Sequence, residues 1–241
     1  MIPITAVILL ATVEYAHIIQ KLGWQTPLWI LLPAVALQLA AGQWADLNLF
    51  APGLLISLLV ALCYVLWSYE RQTSQTAPAD WLTLVTGIIF LGWLGSHFFR
   101  LRAEWGWQWT MLAIISAWIA DSGAYLVGKF MTNRILGRHQ LSPRLSPNKT
   151  VEGFIGGIII GTGITLLVAN AVDIPLASAL ILGLLSSIVS PAGDLGVSLL
   201  KREAGVKDSG TLFPGHGGAL DRIDTLLWSV AMAYYLAQFV G

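Results

Sequence analysis

Residues 153–171 read GFIGGIIIGTGITLLVANA, a run of 19 residues without a charged side chain. A helix needs about 20 predominantly apolar residues to cross the hydrocarbon core of a bilayer, so this run predicts a membrane-spanning helix. Similar apolar runs lie on both sides of it in the chain. Together they give eight candidate spans, of which the second and third are the shortest: 2–20, 27–42, 52–68, 81–99, 107–128, 153–171, 175–199 and 220–239.

The composition of the whole chain agrees with this pattern. Of its 241 residues, 56% are hydrophobic and only 11% are charged, and the mean hydropathy is +0.72. Soluble domains carry about 25% charged residues, so this chain has too few charges to cover a water-facing surface. The sequence therefore predicts an all-α polytopic integral membrane protein. We expect one membrane domain over residues 1–241, with N-terminal spans in 1–106 and the site-bearing spans and cytosolic loops in 107–241.

Basic residues are concentrated in two short windows. Five of the 13 lysines and arginines fall between Lys129 and Lys149, and four more fall between Lys201 and Arg222. Cytoplasmic loops of membrane proteins carry an excess of these residues, so the first window predicts a cytoplasmic loop. Two further spans return the chain to the same side at the second window. Both chain ends are then expected on the opposite side of the membrane.

Two aspartates lie inside predicted spans. Asp121 lies eight residues before Lys129, and Asp194 lies seven residues before Lys201. At 1.5 Å per residue, both lie roughly 10–12 Å along their helices from the basic boundary. Ionisable residues within spans are costly and usually functional. Their matched depth predicts one polar cavity that faces the cytosol. The alternative is that a serine or a backbone group satisfies each carboxylate separately.

The first span also contains ionisable residues. Glu14 and His17 are one helical turn apart, so a local pair between them is one interpretation. The chain start lacks the basic region of a signal peptide, since its first positive charge is Lys21. We therefore expect this segment to be a retained membrane helix.

Residues 198–224 combine acidic, basic and glycine residues just before the last span. Asp221 and Asp224 are three residues apart, so they share a face if this stretch is helical. Mg²⁺ is usually bound through one or two carboxylates, with water and phosphate oxygens completing its shell. The pair, with a third carboxylate from another helix, therefore predicts a Mg²⁺ site. Four basic residues and the glycines beside His216 predict contacts with a polyphosphate: Lys201, Arg202, Lys207, Arg222, Gly215, Gly217 and Gly218.

A different interpretation of this stretch is a juxtamembrane loop whose basic residues face anionic lipid headgroups. That interpretation accounts for the lysines but leaves Asp221, Asp224 and the triplet His216-Gly217-Gly218 unexplained. The combination fits phosphoryl-type transfer better, because catalysis there depends mainly on positioning and on stabilising charge.

The same stretch closely resembles the signature of the phosphatidate cytidylyltransferases, also called CDP-diacylglycerol synthases. A second block, DSGAY at 121–125 with SPNKTVEG at 146–153, resembles the same family. The resemblance covers roughly residues 110–230. Every polar position of the signature is matched at the right spacing: Ser198, Lys201, Arg202, Lys207, Asp208, His216, Gly217, Gly218, Asp221, Arg222 and Asp224.

The chain departs from the family pattern in three places. Ala219 stands where a larger aliphatic residue is usual, and the loop from Lys129 to Ser146 is expected to be a few residues longer than in the family. Glu14 resembles a residue near the end of the family's second span. The family's first spanning helix is therefore expected to have no counterpart in this chain.

The resemblance implies transfer of CMP from CTP to phosphatidic acid, with release of pyrophosphate and CDP-diacylglycerol. It implies Mg²⁺ bound by Asp194, Asp221 and Asp224, with a second cation such as K⁺ as a further expectation. His216 is expected to donate a hydrogen bond to phosphate. The implied catalytic residues are Asp221, Asp224, Asp194, Lys201, Arg202 and His216. The implied substrate-binding residues are Ser198, Lys207, Asp208, Gly217, Gly218, Arg222, Ser146, Lys149, Thr150 and Asp121.

The expected partners are CTP, phosphatidic acid and the lipid bilayer, with a homodimer as a further expectation and no nucleic acid. The expected location is the inner (plasma) membrane, with the site facing the cytoplasm. Two alternatives stay open. One is a CTP-dependent transferase or kinase for another lipid, such as a polyprenol or an archaeal ether lipid. The other is a secondary transporter with Asp121 and Asp194 as coupling-ion sites, which the lack of a visible inverted repeat disfavours.

Overall fold

Helices make up most of the chain in the computed structural model, which describes residues 2–132, 135–210 and 217–240. The helix α4 continues through a π-helical segment, Ile88–Trp93, into α5, and a short 3₁₀ turn lies at Ala45–Leu47. The helices are α1 Ile2–Lys21, α2 Leu28–Gln43, α3 Phe50–Glu70, α4 Ala77–Gly87, α5 Leu94–Glu104, α6 Gly106–Phe130, α7 Val151–Ala171, α8 Leu176–Glu203, α9 Leu220–Ile223 and α10 Leu226–Val240.

Seven helical stretches within the described residues are long and apolar enough to cross a membrane. They are α1, α3, the continuous stretch Ala77–Glu104, α6, α7, α8 and the stretch Leu220–Val240. Each overlaps one predicted span, which confirms the all-α polytopic membrane fold. The remaining predicted span, 27–42, corresponds to α2, an apolar helix of 16 residues. At about 24 Å, α2 is shorter than a hydrocarbon core of about 30 Å.

The predicted cytosolic loop between α6 and α7 contains a small antiparallel hairpin. Its strands are β1, Gln140–Ser142, and β2, Ser146–Thr150. These strands are not predicted from the sequence, because two short polar strands carry no hydrophobic periodicity. Since β2 runs directly into α7, the hairpin fixes the residues that precede this helix.

Two compact units make up the chain. The first unit comprises Met1–Arg100 and Leu200–Ile223, and the second comprises Leu101–Leu199 and Asp224–Gly241. The helix α8 contributes residues to both units. The single membrane domain expected from the sequence stays a prediction.

Close packing around α4 organises the core of the first unit. The Tyr15 hydroxyl donates a hydrogen bond of 2.8 Å to the Thr83 carbonyl, and Tyr15 is fully buried. A Cβ at Gly87 would lie 2.9 Å from side-chain atoms of both Leu31 and Tyr15. The absence of a side chain at Gly87 therefore lets α4 approach α1 and α2 closely.

Glycines of the run 153–171 organise the second unit. Added Cβ atoms at Gly153 and Gly157 would lie 2.7 and 2.8 Å from backbone carbonyl oxygens of α6, and one at Gly156 would lie 2.5 Å from Val127. Small residues at helix contacts allow close backbone approach where lipid supplies no hydrophobic driving force. The apolar run therefore both spans the membrane and provides the contact surface for α6.

Candidate active site

A pocket of about 600 Å³ lies in the second unit. It is bordered by the second half of α6, the β-hairpin region, the start of α7 and the middle of α8. The pocket contains both carboxylates and basic groups. Its lining residues are Asp121, Ala124, Tyr125, Gly128, Lys129, Thr132, Arg138, Leu141, Asn148, Lys149, Thr150, Gly153, Phe154, Pro191 and Asp194.

An ion pair joins two predicted site residues in this pocket. The Lys149 Nζ lies 2.5 Å from the Asp194 Oδ2, and their side chains are 26% and 33% exposed. The buried Ser198 hydroxyl donates to the other Asp194 oxygen at 3.2 Å. The structure thus brings together a predicted metal ligand and two predicted substrate-binding residues.

Asp121 lines the same pocket from α6. Its carboxylate accepts hydrogen bonds from the Ser190 hydroxyl at 2.7 Å and from the Thr225 hydroxyl at 3.4 Å. Asp121 and Asp194 therefore each have a hydroxyl donor and also share one cavity. The prediction that both carboxylates line one cavity is confirmed, and the prediction that this cavity faces the cytosol stays a prediction.

The start of α7 positions Thr150. Its buried side-chain oxygen accepts a hydrogen bond of 3.0 Å from the Gly153 amide, which caps the helix. Threonine is favoured at this position because its oxygen satisfies an amide that has no partner within the helix. Ser146 begins β2 and is not among the described residues that line the pocket. Its assignment to phosphate stays a prediction.

Asp224 lies in the second unit, between α9 and α10. It is 5% exposed, and its Oδ1 accepts the Thr225 amide at 2.7 Å. A Cβ at Gly193 would lie only 2.7 Å from the Asp224 carbonyl oxygen. The backbone next to Asp194 therefore packs closely against the segment that carries Asp224.

Asp221 lies in the first unit and accepts three hydrogen bonds from Lys201, Ser209 and Gly218. The Lys201 Nζ donates to Oδ1 at 2.5 Å, and Lys201 is 7% exposed. Oδ2 accepts the Ser209 amide at 2.9 Å and the Gly218 amide at 3.0 Å, and the Ser209 hydroxyl oxygen lies 3.0 Å from it. These donors stabilise the charged carboxylate and fix its orientation.

The signature glycines lie against side chains of the protein. Gly217 has a φ of +83°, and a Cβ there would lie 2.6 Å from the Asp221 Oδ2. Glycine adopts this backbone conformation without strain. Gly217 therefore lies directly against the Asp221 carboxylate, and the contact with a polyphosphate expected for the glycines stays a prediction.

Glu14 has partners that the sequence analysis did not predict. Its carboxylate accepts the Ser209 hydroxyl at 2.7 Å, the Ala219 amide at 3.0 Å and the Leu220 amide at 2.9 Å. His17 is exposed, and the local pair between Glu14 and His17 is not the observed arrangement. The signal that pointed to Glu14 was a carboxylate within an apolar span, which needs donors around it.

The other predicted residues lie mainly on exposed surfaces. The Arg202 guanidinium donates to the Val206 carbonyl at 3.4 Å, which supports the end of α8. The prediction for His216 falls outside the described residues. Lys207, Asp208 and Arg222 are exposed, and their assignment to substrate binding stays a prediction.

Several residues that line the pocket are not among the predicted site residues. Lys129 and Arg138 add two positive charges to it, and the Lys129 Nζ donates to the Tyr125 hydroxyl at 2.8 Å. The basic window had indicated this loop as a whole. Without the hairpin, however, the sequence could not indicate which of its cations reach the pocket.

The donor chemistry of the pocket fits Mg²⁺. Across residues 2–132, 135–210 and 217–240, no three carboxylate, imidazole or thiolate side chains are grouped so that they could hold a metal ion by themselves. Mg²⁺ commonly uses only one or two carboxylates together with substrate phosphates and water. Asp121 and Asp194 provide two such carboxylates in one pocket.

Comparison with known proteins identifies the family. The sequence model of the cytidylyltransferase family matches residues 1–240. The chain belongs to the cytidylyltransferase family. This assignment confirms the resemblance drawn from the signature and the prediction of an enzyme that transfers a nucleotidyl group.

Three curated relatives of this cytidylyltransferase carry the name phosphatidate cytidylyltransferase. The protein from Staphylococcus saprophyticus is 35% identical over 191 residues, which cover 78% of this chain and 69% of that protein. The protein from Bacillus subtilis is 39% identical over 178 residues, which cover 71% of this chain and 64% of that protein. The protein from Staphylococcus haemolyticus is 34% identical over 197 residues, which cover 80% of this chain and 71% of that protein.

Proposed function

We propose that this cytidylyltransferase transfers CMP from CTP to phosphatidic acid and so forms CDP-diacylglycerol and pyrophosphate. The observation that carries the proposal is the Lys149–Asp194 pair in a pocket that also contains Lys129 and Arg138. A site with clustered cations and carboxylates suits a nucleoside triphosphate and its metal ion. Phosphatidic acid is proposed as the lipid acceptor because the relatives are named phosphatidate cytidylyltransferase.

The three cations of the pocket bind the triphosphate in this proposal. Lys129, Arg138 and Lys149 come from α6, the following loop and β2, so they surround the pocket from different elements. Hydrogen bonds between a cationic donor and phosphate are among the stronger polar contacts in proteins. Lys149 holds the triphosphate next to Asp194.

Asp194 and Asp121 are the proposed ligands of Mg²⁺ in this pocket, with Asp224 on the adjoining segment. Bound Mg²⁺ would neutralise phosphate charge and stabilise charge that develops on the leaving pyrophosphate. Ser198 and Ser190 donate to Asp194 and Asp121 and hold these carboxylates in place. Asp221 as a metal ligand and K⁺ as a second cation stay predictions.

The reaction is a displacement at the α-phosphorus of CTP. An oxygen of the phosphatidic acid phosphate forms a new bond to that phosphorus, and the bond from the phosphorus to the bridging oxygen of pyrophosphate breaks. The attacking phosphate is already an anion at neutral pH, so the step needs no general base. The residues of the pocket bind and orient the reactants and compensate their negative charge.

The proposed setting is the cytoplasmic side of the plasma membrane. The relatives are bacterial proteins, and the basic windows favour the cytoplasm for the loop that lines the pocket. The acyl chains of the acceptor would stay in lipid while CTP enters from the aqueous side. A homodimer stays a prediction.

Pyrophosphate release by the purified full chain tests the proposal. The chain is supplied with CTP, Mg²⁺ and mixed micelles that contain phosphatidic acid, a polyprenol or an ether-linked phosphatidic acid analogue. Release is expected with phosphatidic acid and absent when the micelles contain no acceptor. Absence of release with phosphatidic acid would exclude the proposed function, and release with the polyprenol alone would assign another acceptor.

A further inference from the structure

The Glu14 carboxylate lies at the centre of a network that joins two parts of the signature segment. Its three donors are the Ser209 hydroxyl and the amides of Ala219 and Leu220. Ser209 and Ala219 are ten residues apart in the sequence. One side chain of α1 therefore fixes two separate positions of the segment that carries Asp221.

The surrounding backbone is shaped to admit this carboxylate. A Cβ at Gly218 would lie closer than 3.0 Å to both Glu14 oxygens, and a Cβ at Gly210 would lie closer than 3.0 Å to one of them. Contacts this short do not occur for real Cβ atoms, so any side chain at these positions would displace Glu14. The absence of side chains at Gly210 and Gly218 therefore leaves room for the Glu14 carboxylate.

Ser209 connects Glu14 to Asp221. Its hydroxyl lies 2.7 Å from a Glu14 oxygen and 3.0 Å from the Asp221 Oδ2, while its amide donates to the same Asp221 oxygen at 2.9 Å. The Gly218 amide donates to this oxygen too, at 3.0 Å. Two of the groups that orient Asp221 therefore belong to residues whose positions Glu14 fixes.

Glu14 lies within a membrane-spanning helix, where a charged carboxylate without hydrogen-bond donors would be energetically costly. An ionised carboxylate within a membrane span must be compensated by donors, and here the signature segment supplies them. Leucine or glutamine at this half-buried position would avoid the cost of a charge within a membrane span, but neither could accept all three hydrogen bonds. The charge is therefore matched to the donors of that segment.

We propose that Glu14 is a positioning residue for the transfer reaction and holds Asp221 through Ser209 and the backbone at 218–220. This inference rests on the proposed function and on the predicted role of Asp221 as a metal ligand. In this proposal Glu14 acts through its hydrogen bonds to the segment and not by contact with substrate or metal. Its removal loosens the segment and misorients Asp221 while the rest of the chain stays folded.

The first test compares Glu14→Gln with His17→Gln, a matched change at the exposed position one turn further along α1. Glu14→Gln is expected to lower kcat for pyrophosphate release by about 10- to 100-fold, because small misplacements of a reacting group cost this much. The KM for CTP is expected to change by less than about threefold, as for loss of an interaction that acts in the transition state. His17→Gln should behave as wild type. An unchanged kcat for Glu14→Gln would overturn the proposal.

Backbone hydrogen exchange supplies a measurement that needs no activity. Glutamine keeps only one acceptor oxygen, so at least one of the Ala219 and Leu220 amides loses its acceptor in Glu14→Gln. Exchange at that amide should become faster while exchange in α1 is unchanged. Unchanged exchange at these amides would overturn the proposal even if kcat fell. If the wild type shows this protection but releases no pyrophosphate, the proposed function fails and the network stands.

Gly210→Ala covers the case in which Glu14→Gln does not fold. Its added methyl group displaces the Glu14 carboxylate without removing the charge. A folded Gly210→Ala protein with a reduced kcat and faster exchange at Ala219 supports the proposal. A folded Gly210→Ala protein with the kcat and exchange of the wild type overturns it.

Discussion

The Nζ of Lys149 lies 2.5 Å from the Oδ2 of Asp194, so the residue just before α7 contacts the middle of α8. In the proposed function, this contact places a phosphate-binding cation directly beside a carboxylate that binds Mg²⁺. The two residues therefore contribute differently to catalysis, and their substitutions should have different kinetic effects.

Replacement of the carboxylate should reduce turnover. Asp194→Asn is expected to lower kcat for pyrophosphate release by about 10²- to 10³-fold, the usual cost of losing a group that stabilises developing charge. Asp173→Asn is the matched control, because Asp173 is exposed in the turn before α8 and asparagine tolerates its φ of +57°. Equal kcat values for the two variants would contradict the assignment of Asp194.

Replacement of the cation should weaken nucleotide binding. Lys149→Ala is expected to raise the KM for CTP by about 10- to 100-fold, because a hydrogen bond to a charged group contributes about 1.5–3 kcal/mol. Lys21→Ala, at the exposed end of α1, serves as the control. A KM that stays at the wild-type value in initial-rate measurements would remove Lys149 from the nucleotide site.

Much of the fold could be predicted because hydropathy determines where a chain crosses lipid. The apolar runs predicted every long apolar helix of the described residues. The matched depth of Asp121 and Asp194 predicted that they line one pocket. The hairpin at 140–150 was missed because its short strands are polar. The contacts of Glu14 were missed because its partners lie 195 to 206 residues away in the sequence, a separation that local patterns do not encode.

The glycines of α7 should tolerate substitution according to their contacts. Gly157→Ala places a methyl group 2.8 Å from the Ala120 carbonyl oxygen and is expected to lower the free energy of unfolding by about 1–3 kcal/mol. Gly163→Ala on the same helix meets nothing within 4 Å. It should raise the free energy of unfolding by about 0.5–1 kcal/mol, since alanine loses less backbone entropy. Unfolding in detergent measures the free energy of unfolding of both variants. A Gly157→Ala protein more stable than the Gly163→Ala protein would contradict the close packing of α7 against α6.

Asp80 should matter for stability and not for chemistry. It is 2% exposed and accepts hydrogen bonds from the backbone amide of Gln25 at 2.7 Å, the Thr76 hydroxyl at 2.9 Å and the Ser74 hydroxyl. Asp80→Ala leaves these donors unpaired and is expected to lower the free energy of unfolding by about 1–3 kcal/mol. The kcat of the folded fraction should equal that of wild type. A large fall in kcat at unchanged stability would show that Asp80 belongs to the active site.

The fate of labelled phosphorus tests the proposed reaction most directly. Purified wild-type protein is given phosphatidic acid, Mg²⁺ and CTP labelled with ³²P at either the α- or the γ-phosphate. CMP transfer predicts that the α-label appears in the lipid product and that the γ-label appears only in pyrophosphate. Lipid that carries the γ-label would indicate a kinase and contradict the account, and so would lipid that carries no label from either nucleotide.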